Sequence, residues 1–595
     1  MMPPQHNRLP RLAHVVLAGI ALAWGTVAAA ASDRIDIRID GVEDAIADNV
    51  RSYLTLTRYV ARDDLTDGQV RRLADRAVDE AADALRPFGY YSPTIRSRTT
   101  RDDAHWIVRL KITPGAAVKW TTVDVQLAGA GRDAPQFARV IAASAARPGA
   151  RLDHPAYEKL KTDLQRAALE DGYLDARFTR RELLVNPQEH SAEAHIEFDT
   201  GGRYEFGKIT IEQDVLDEEL LQGYIRIATG QPYSTEKLHA TQYALEDSNY
   251  FALVSVSPGE RDPATLTVPV TIHAEPIKRN RYAVSAGYGT DTGLRGKLTW
   301  DNRRANREGH RIRSELTASQ LKQSAVVRYL IPVGDPSFEK LEFSAGYVNE
   351  TLGDLKSQRV ELAAGLTQVF GHWQRVPFLK LNRERTVFPT GPATDDLLLI
   401  PGISFSSVTP NFLTGWVRDA AYYFELSGSP GSLGSDASYL RFYSRGERVW
   451  PITGPWYVRL RGEVGTSWVN HFSQLPASQR FFAGGDRSVR GFAIDELSPP
   501  IVPTSGSGST TTSGGGENKL VGSVEFERDF PRNFRGAVFF DTGNAFNDWN
   551  TPLEYSVGIG VRWKLPMLMI GLDLAQALSE PGKSPRIHLN MTQVL

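Results

Sequence analysis

Two periodicities divide the chain. Between residues 32 and 276 apolar positions recur at helical spacing, as in Val70, Leu73, Ala77, Ala81, Ala84 and Leu85, and again in Tyr157, Leu160, Leu164, Ala167 and Ala168. These helices run into a repeated turn: Ala84-Leu85-Arg86-Pro87-Phe88-Gly89-Tyr90, Ala168-Leu169-Glu170-Asp171-Gly172-Tyr173 and Ala244-Leu245-Glu246-Asp247-Ser248-Asn249-Tyr250. Gly89, Gly172 and Asn249 are residue types that reach φ > 0 after a helix, so one C-cap is used three times. Two strand-like runs follow each cap, for example 106–112 and 194–198. The pattern predicts three small α/β modules of order β-α-α-β-β, at 32–115, 116–203 and 204–275.

From residue 281 the period becomes two. Tyr555, Val557, Ile559, Val561, Trp563 and Leu565 alternate with Ser556, Gly558, Gly560, Arg562 and Lys564, and Trp456, Val458, Leu460, Gly462, Val464, Thr466 and Trp468 do the same. Tyr282, Val284, Ala286 and Tyr288 repeat the scheme. Such runs match the roughly 9–11 residues of a tilted bilayer-crossing strand better than the 5–6 of soluble sheets. At about 20 residues per strand with its connection, 276–595 holds about 16 antiparallel strands, an even number as a bacterial barrel requires. A soluble sandwich or propeller is the alternative, and it calls for polar outer faces or a blade repeat that the sequence does not display. The expected fold is therefore α+β modules followed by an all-β transmembrane barrel.

The first residues add a compartment. Arg8 and Arg11 precede an apolar stretch over 12–27, and Ala28-Ala29-Ala30-Ala31-Ser32 supplies small side chains, which reads as a cleaved secretory signal over 1–31. A membrane anchor is the other reading of this stretch, and it needs about 20 apolar residues. The chain has no Cys, which excludes disulfide frameworks, thiolate metal sites and Cys nucleophiles and suits an oxidising envelope. With 68 basic against 70 acidic residues it has no overall field to gather nucleic acid.

Candidate chemistry is sparse. Asp-Thr-Gly occurs at Asp199, Asp291 and Asp541, yet no two-lobed duplication relates the copies as a shared-proton protease pair demands, so they read as turn-forming residues. Gly129-Ala130-Gly131-Arg132-Asp133-Ala134 imitates a dinucleotide fingerprint inside a module too short for a doubly wound sheet. Neither a zinc-protease spacing nor a nucleophile elbow is present. No catalytic, cofactor or metal residue is expected. A Ser/Gly/Thr-rich insert over 499–518 reads as a loop that cannot bury a core.

One constellation stands out. Phe481-Phe482-Ala483-Gly484-Gly485-Asp486-Arg487-Ser488-Val489-Arg490-Gly491-Phe492 precedes Gly522-Ser523-Val524-Glu525-Phe526 and Val538-Phe539-Phe540-Asp541-Thr542-Gly543-Asn544. Here the chain resembles the Omp85 superfamily of outer-membrane assembly and secretion barrels. Val489-Arg490-Gly491-Phe492 is similar to that family's motif in the sixth extracellular loop, and Glu525 and Asp541 match the inward carboxylates that hold its Arg. Gly287-Tyr288-Gly289-Thr290-Asp291-Thr292-Gly293-Leu294 is similar to the family's first strands, and the three modules resemble its periplasmic POTRA domains. Independently, Asp541 alternates with Val538 and Phe540 and so faces the lumen, where an Arg fork grips carboxylates bidentately. A wet lumen would make that clamp modest in stability.

The resemblance implies an outer-membrane protein with its modules in the periplasm, one that helps insert or translocate outer-membrane proteins such as autotransporters. It implies three partners: a large inner-membrane-anchored periplasmic protein, unfolded outer-membrane protein clients and outer-membrane lipid. A secretion pore for one dedicated exoprotein, or lipid transfer to the outer membrane, is the alternative. It also implies a weak lateral seam between a first strand carrying Tyr282, Val284, Ala286 and Tyr288 and a last strand carrying Ile587, Leu589 and Met591. The last strand departs from the family in ending on Leu595, where an aromatic is usual, and this weakens the terminal recognition signal.

Overall fold

The first module is built as strand Ile35–Asp40, helices Asp44–Tyr53 and Asp67–Leu85, and strands Thr94–Asp102 and His105–Thr113. Its long helix starts at a reciprocal cap between Thr66 and Gln69, and it ends where a short 3-10 turn delivers Gly89 at φ 84°. The second module repeats the plan with strands Lys119–Ala128, Arg177–Asn186 and Ser191–Asp199 around helices Pro135–Ala143 and His154–Glu170. The third has strands Glu205–Glu212, Phe251–Pro258 and Thr267–Pro276 with helices Glu218–Gln222 and Thr235–Asp247. Gly172 and Asn249 also take positive φ, 87° and 57°. In each module the third strand lies between the other two.

This computed structural model describes residues 35–62, 64–102, 105–407, 420–501, 513–565 and 568–593. The leader over 1–31, residues 502–512 of the insert, and Leu595 lie outside them. The described chain forms two compact units, one of the first two modules and one of the barrel with most of the third module.

In the second module the two decoy motifs meet each other. The Gly131 N–H donates to Thr200 Oγ1 at 2.9 Å, and the Gly201 N–H to Asp199 Oδ1 at 3.0 Å. Gly129 sits at φ +84°, where a Cβ would stand 2.6 Å from Thr200 Oγ1. The glycines serve close packing of two turns.

Sixteen antiparallel strands close a barrel in simple meander order, from Asn280–Gly289 to Arg586–Gln593. Its residue pattern is inverted relative to a soluble protein: Tyr282, Val284, Leu294, Ile559 and Ile587 are exposed on the outside, while Glu525, Asp541, Ser556, Asp573 and His588 are buried inside. That arrangement suits hydrocarbon outside and a polar interior. No helix among the described residues is long and apolar enough to cross a membrane.

The third module is fastened to the barrel's near rim. Arg226 Nη2 donates to Asp335 Oδ1 and Ser337 Oγ, both at 2.8 Å, in the turn between the fourth and fifth strands. In the turn between the second and third strands, Gly309 O accepts from the Tyr250 hydroxyl at 2.5 Å and Arg307 pairs with Asp217 at 3.0 Å. Arg311 reaches the Ser248 carbonyl from the third strand.

At the far rim the connection between the eleventh strand, Trp456–Val469, and the twelfth, Asn518–Phe530, folds inward. The end of the low-complexity insert, expected to build no core of its own, packs against the rest of the loop. Gly514, Gly515 and Gly516 are buried; Arg480 Nη1 donates to the Gly514 carbonyl at 2.9 Å, and Phe481 and Gly516 exchange backbone hydrogen bonds at 2.9 and 2.8 Å. Lack of a side chain is the reason: a Cβ on Gly515 would stand 2.8 Å from both Arg480 Cβ and the Phe482 ring.

Candidate functional site

Arg490 enters the lumen on the folded-in loop. A tight turn, in which the Phe492 N–H donates to the Val489 carbonyl at 3.1 Å, aims its side chain at the wall. The guanidinium grips Asp541 bidentately, Nε to Oδ2 at 2.8 Å and Nη2 to Oδ1 at 2.9 Å, while Nη1 reaches Glu525 Oε2 at 3.1 Å. Its backbone N–H also donates to Asp541 Oδ2 at 3.2 Å. The Phe539 ring lies flat beneath it, 3.2 Å from guanidinium carbon to ring centroid. Strand alternation puts Phe539 and Asp541 on one face of the thirteenth strand, Phe534–Phe546.

Several partners lie beyond what the motif indicated. Asp573, on the fifteenth strand Leu568–Ala577, is 3.4 Å from Arg490 Nη1 and 2.6 Å from Arg562 Nη1. Arg562 also pairs with Glu525 at 3.0 Å, and Arg461 lies 4.0 Å from Asp541. Three carboxylates thus face three guanidinium groups, and the lattice is charge-balanced. Ser523 Oγ donates to Asp541 Oδ1 at 2.6 Å. Arg490 is only 2% exposed, Glu525 4% and Asp541 0%. Phe539 and the loop cover the clamp, and a polar cavity of about 220 Å³ lined by Arg490, Ser523, Glu525 and Asp573 adjoins it.

The other motif residues pack. Val489 and Phe492 join Phe481, Ala483, Leu497, Val521, Ala545 and Ala577 in a buried apolar cluster. The Gly491 N–H donates to Ser556 Oγ at 3.1 Å, and a Cβ there would meet Ser556 Cβ at 2.6 Å and Ala577 N at 2.8 Å. Only Gly fits between loop and wall.

At the closure, Tyr282, Val284, Ala286, Tyr288 and Ile587 point outward, with Leu589 and Met591 half-buried. Among the described residues the first and last strands share one register pair, Gly289 with Asn590, against ten between the first and second strands. Side chains bridge what the ladder leaves open. Arg295 Nη2 donates to the Met591 carbonyl at 2.9 Å, and Asn590 Nδ2 to Asp486 Oδ2 at 2.7 Å. Asp291 Oδ2 accepts the Asp486 N–H at 2.8 Å and lies 3.4 Å from His588 Nδ1. The structure thus joins the loop motif to the seam through Asp291, which the sequence presented as a turn residue.

Comparison with known proteins agrees with this architecture. Residues 419–593 match the Omp85 superfamily domain, residues 36–114 the first POTRA domain of the TamA type, and residues 204–276 the POTRA family described as a surface antigen variable number repeat. The outer membrane protein assembly factor BamA of Neisseria meningitidis serogroup B is 21% identical over 515 residues, 79% of this chain and 62% of that protein. BamA of Nitratidesulfovibrio vulgaris is 21% identical over 397 residues, 62% of this chain and 48% of that protein. The chain spans about half to three fifths of these curated relatives. The crystal structure of Haemophilus ducreyi BamA lacking POTRA domains 1–3 shares the fold, with a TM-score of 0.64 at 17% identity over 80% of this chain and 99% of that one. The protein is an outer-membrane β-barrel with N-terminal POTRA modules in the periplasm. Its C-terminal part thus matches the Omp85 superfamily domain, and two of its three N-terminal modules match POTRA domains.

Proposed function

We propose that this chain is a TamA-like assembly subunit that helps insert or translocate outer-membrane proteins such as autotransporters. It works with a TamB-like, inner-membrane-anchored periplasmic partner and with outer-membrane lipid around its seam. The observation that carries the reading is the closure itself: among the described residues a single register pair joins the first and last strands, which leaves edge positions on which a client strand can pair. The TamA-type first module supports the partner.

The test removes the gene and follows autotransporter clients by surface protease accessibility and heat-modifiable migration. Loss of folded client, restored by the full chain, supports the reading. Intact clients together with loss of one secreted exoprotein would replace it with the secretion pore. A second arm deletes residues 32–115. The barrel should still reach the outer membrane while co-purification of the partner is lost, and retained co-purification would move docking elsewhere.

A further inference from the structure

Toward its far rim the barrel's outward face carries almost no charge, and the charges it does carry are gathered. Among the described outward positions in the far-rim halves of the strands, the charged side chains are Lys356, Arg383, Arg385 and Asp395. They stand on three consecutive strands: the sixth, Leu355–Phe370, the seventh, Trp373–Val387, and the eighth, Thr394–Ser407. Alternation fixes their facing, because Leu379, Leu381, Arg383 and Arg385 are exposed while Asn382, Glu384 and Thr386 between them are buried on the lumen side. An outward Arg or Lys costs a barrel stability, increasingly so toward the bilayer midplane, so the fold itself gains nothing from these cations.

Their neighbours do not neutralise them. Arg385 stands directly opposite Asp395 without pairing with it, and among the described residues the side chains of Lys356, Arg383 and Arg385 have no acidic or hydrogen-bonding partner. Outward cations near the other rim are accommodated by aromatic rings: Arg448 lies 5.0 Å from the Trp450 ring and Arg528 5.0 Å from that of Trp456.

Register shows what lies beside the cluster. Across the fifth strand, Glu339–Leu352, and the next two, Phe343, Ala364 and Leu379 form one row, and Ala345, Leu362 and Leu381 the row above it toward the far rim. The small Ala345 and Ala364 leave a hollow among larger side chains, an open apolar groove of about 530 Å³. It reaches from Val327 on the fourth strand to Leu399 on the eighth, a width of about 19 Å at 4.7–4.9 Å per strand, room for several hydrocarbon chains side by side. The next row is Tyr347, Val360 and Arg383, and the one after it Asn349, Gln358 and Arg385. Lys356 follows, diagonal to Arg385. Arg383 and Arg385 are about 6.6–6.8 Å apart and Lys356 about 7–8 Å from Arg385, so their long side chains can converge on one tetrahedral anion.

We propose that this wall binds a phosphorylated, multiply acylated glycolipid of lipid A chemistry from the outer leaflet. A phosphate sits among Lys356, Arg383 and Arg385, and the acyl chains run from it into the groove at Ala345 and Ala364. Asp395 repels the anion and bounds the site on the side of the eighth strand. Phosphate at the far rim with chains toward the middle is the orientation of a lipid in that leaflet. The inference goes beyond the assembly reading, since the site lies away from the seam and needs only the outer-membrane location.

The test titrates the full chain in a non-ionic detergent with bis-phosphorylated lipid A and measures bound lipid by native mass spectrometry. The Lys356→Gln/Arg383→Gln/Arg385→Gln variant should bind at least about tenfold more weakly than the unaltered chain. Arg448→Gln/Arg528→Gln, the same kind of change near the other rim, should bind as the unaltered chain does. Ala345→Trp/Ala364→Trp keeps every charge, fills the groove and should also lose lipid A. Heat-modifiable migration checks that each variant is folded. Lipid A stripped of its phosphates should bind the unaltered chain as weakly as the triple variant binds the intact lipid, and this arm stands whether or not the variants fold. Undiminished binding by the triple variant or of the stripped lipid, or an equal loss in the control variant, would overturn the proposal. Equal affinity for phosphatidylglycerol would overturn the glycolipid assignment and give the site to a two-chain lipid.

Discussion

His588 Nε2 lies 2.7 Å from the carbonyl oxygen of Arg490, to which it donates, so the closing strand holds the backbone of the lumen loop. The same ring faces Asp291 from the other side, and the three groups form one contact across loop, last strand and first turn.

His588→Ala leaves a buried carbonyl and a buried carboxylate without this partner, a loss of about 1–3 kcal/mol for an unsatisfied group. The folded band of the barrel on semi-native gels should convert to the unfolded band at lower temperature. An unchanged conversion temperature would show that the bridge contributes nothing to closure.

Arg490→Ala and Asp541→Ala each strand a buried charge, and each should cost about 3–5 kcal/mol. Side chains that act as one unit couple, so the double variant should lose clearly less than the sum of the singles. Denaturant unfolding in detergent measures the cycle, and strict additivity would dissolve the clamp into independent contacts.

Gly491→Ala tests packing without touching charge. A methyl 2.6 Å from Ser556 Cβ must displace the loop or the fourteenth strand, Glu554–Lys564, and overpacking of this kind costs about 1–3 kcal/mol. Hydrogen exchange over 485–497 should accelerate, whereas exchange in the first module should not change.

Residue types made part of this site legible and register hid the rest. Asp541 was readable because two apolar neighbours in a period-two run fix its face, whereas Glu525 came from the family resemblance alone. His588 obeys the same rule, inward between outward Ile587 and half-buried Leu589, yet nothing in one strand reveals which loop it meets. Asp291 was obscured by its Asp-Thr-Gly context, which fits any turn. The pairing of the first module's opening strand was invisible for a different reason: it depends on a parallel register between residues 35 and 106 that local sequence does not encode.

Asp335 makes the third module's attachment dependent on pH. Partial burial pushes its carboxyl up, but hydrogen bonds from Arg226 and Ser337 outweigh this and hold it below its ordinary value. A carboxyl depressed in the folded state contributes stability above its ordinary pKa and loses it as pH falls through the folded one. Exchange protection over 218–250 should therefore decline as pH drops below about 4. Asp335→Asn should be less protected at neutral pH and should lose this dependence, and a parallel decline in that variant would assign the effect to another group.

The barrel is braced twice, by different means on different arcs. The third module grips the turns that join strands two to five, while the lumen loop reaches Glu525, Asp541, Ser556, Asp573 and His588 on strands twelve to sixteen. The seam falls between these arcs. Parting the seam would therefore break one register pair among the described residues and the Arg295, Asp291 and Asn590 side-chain contacts, while leaving both braced arcs intact.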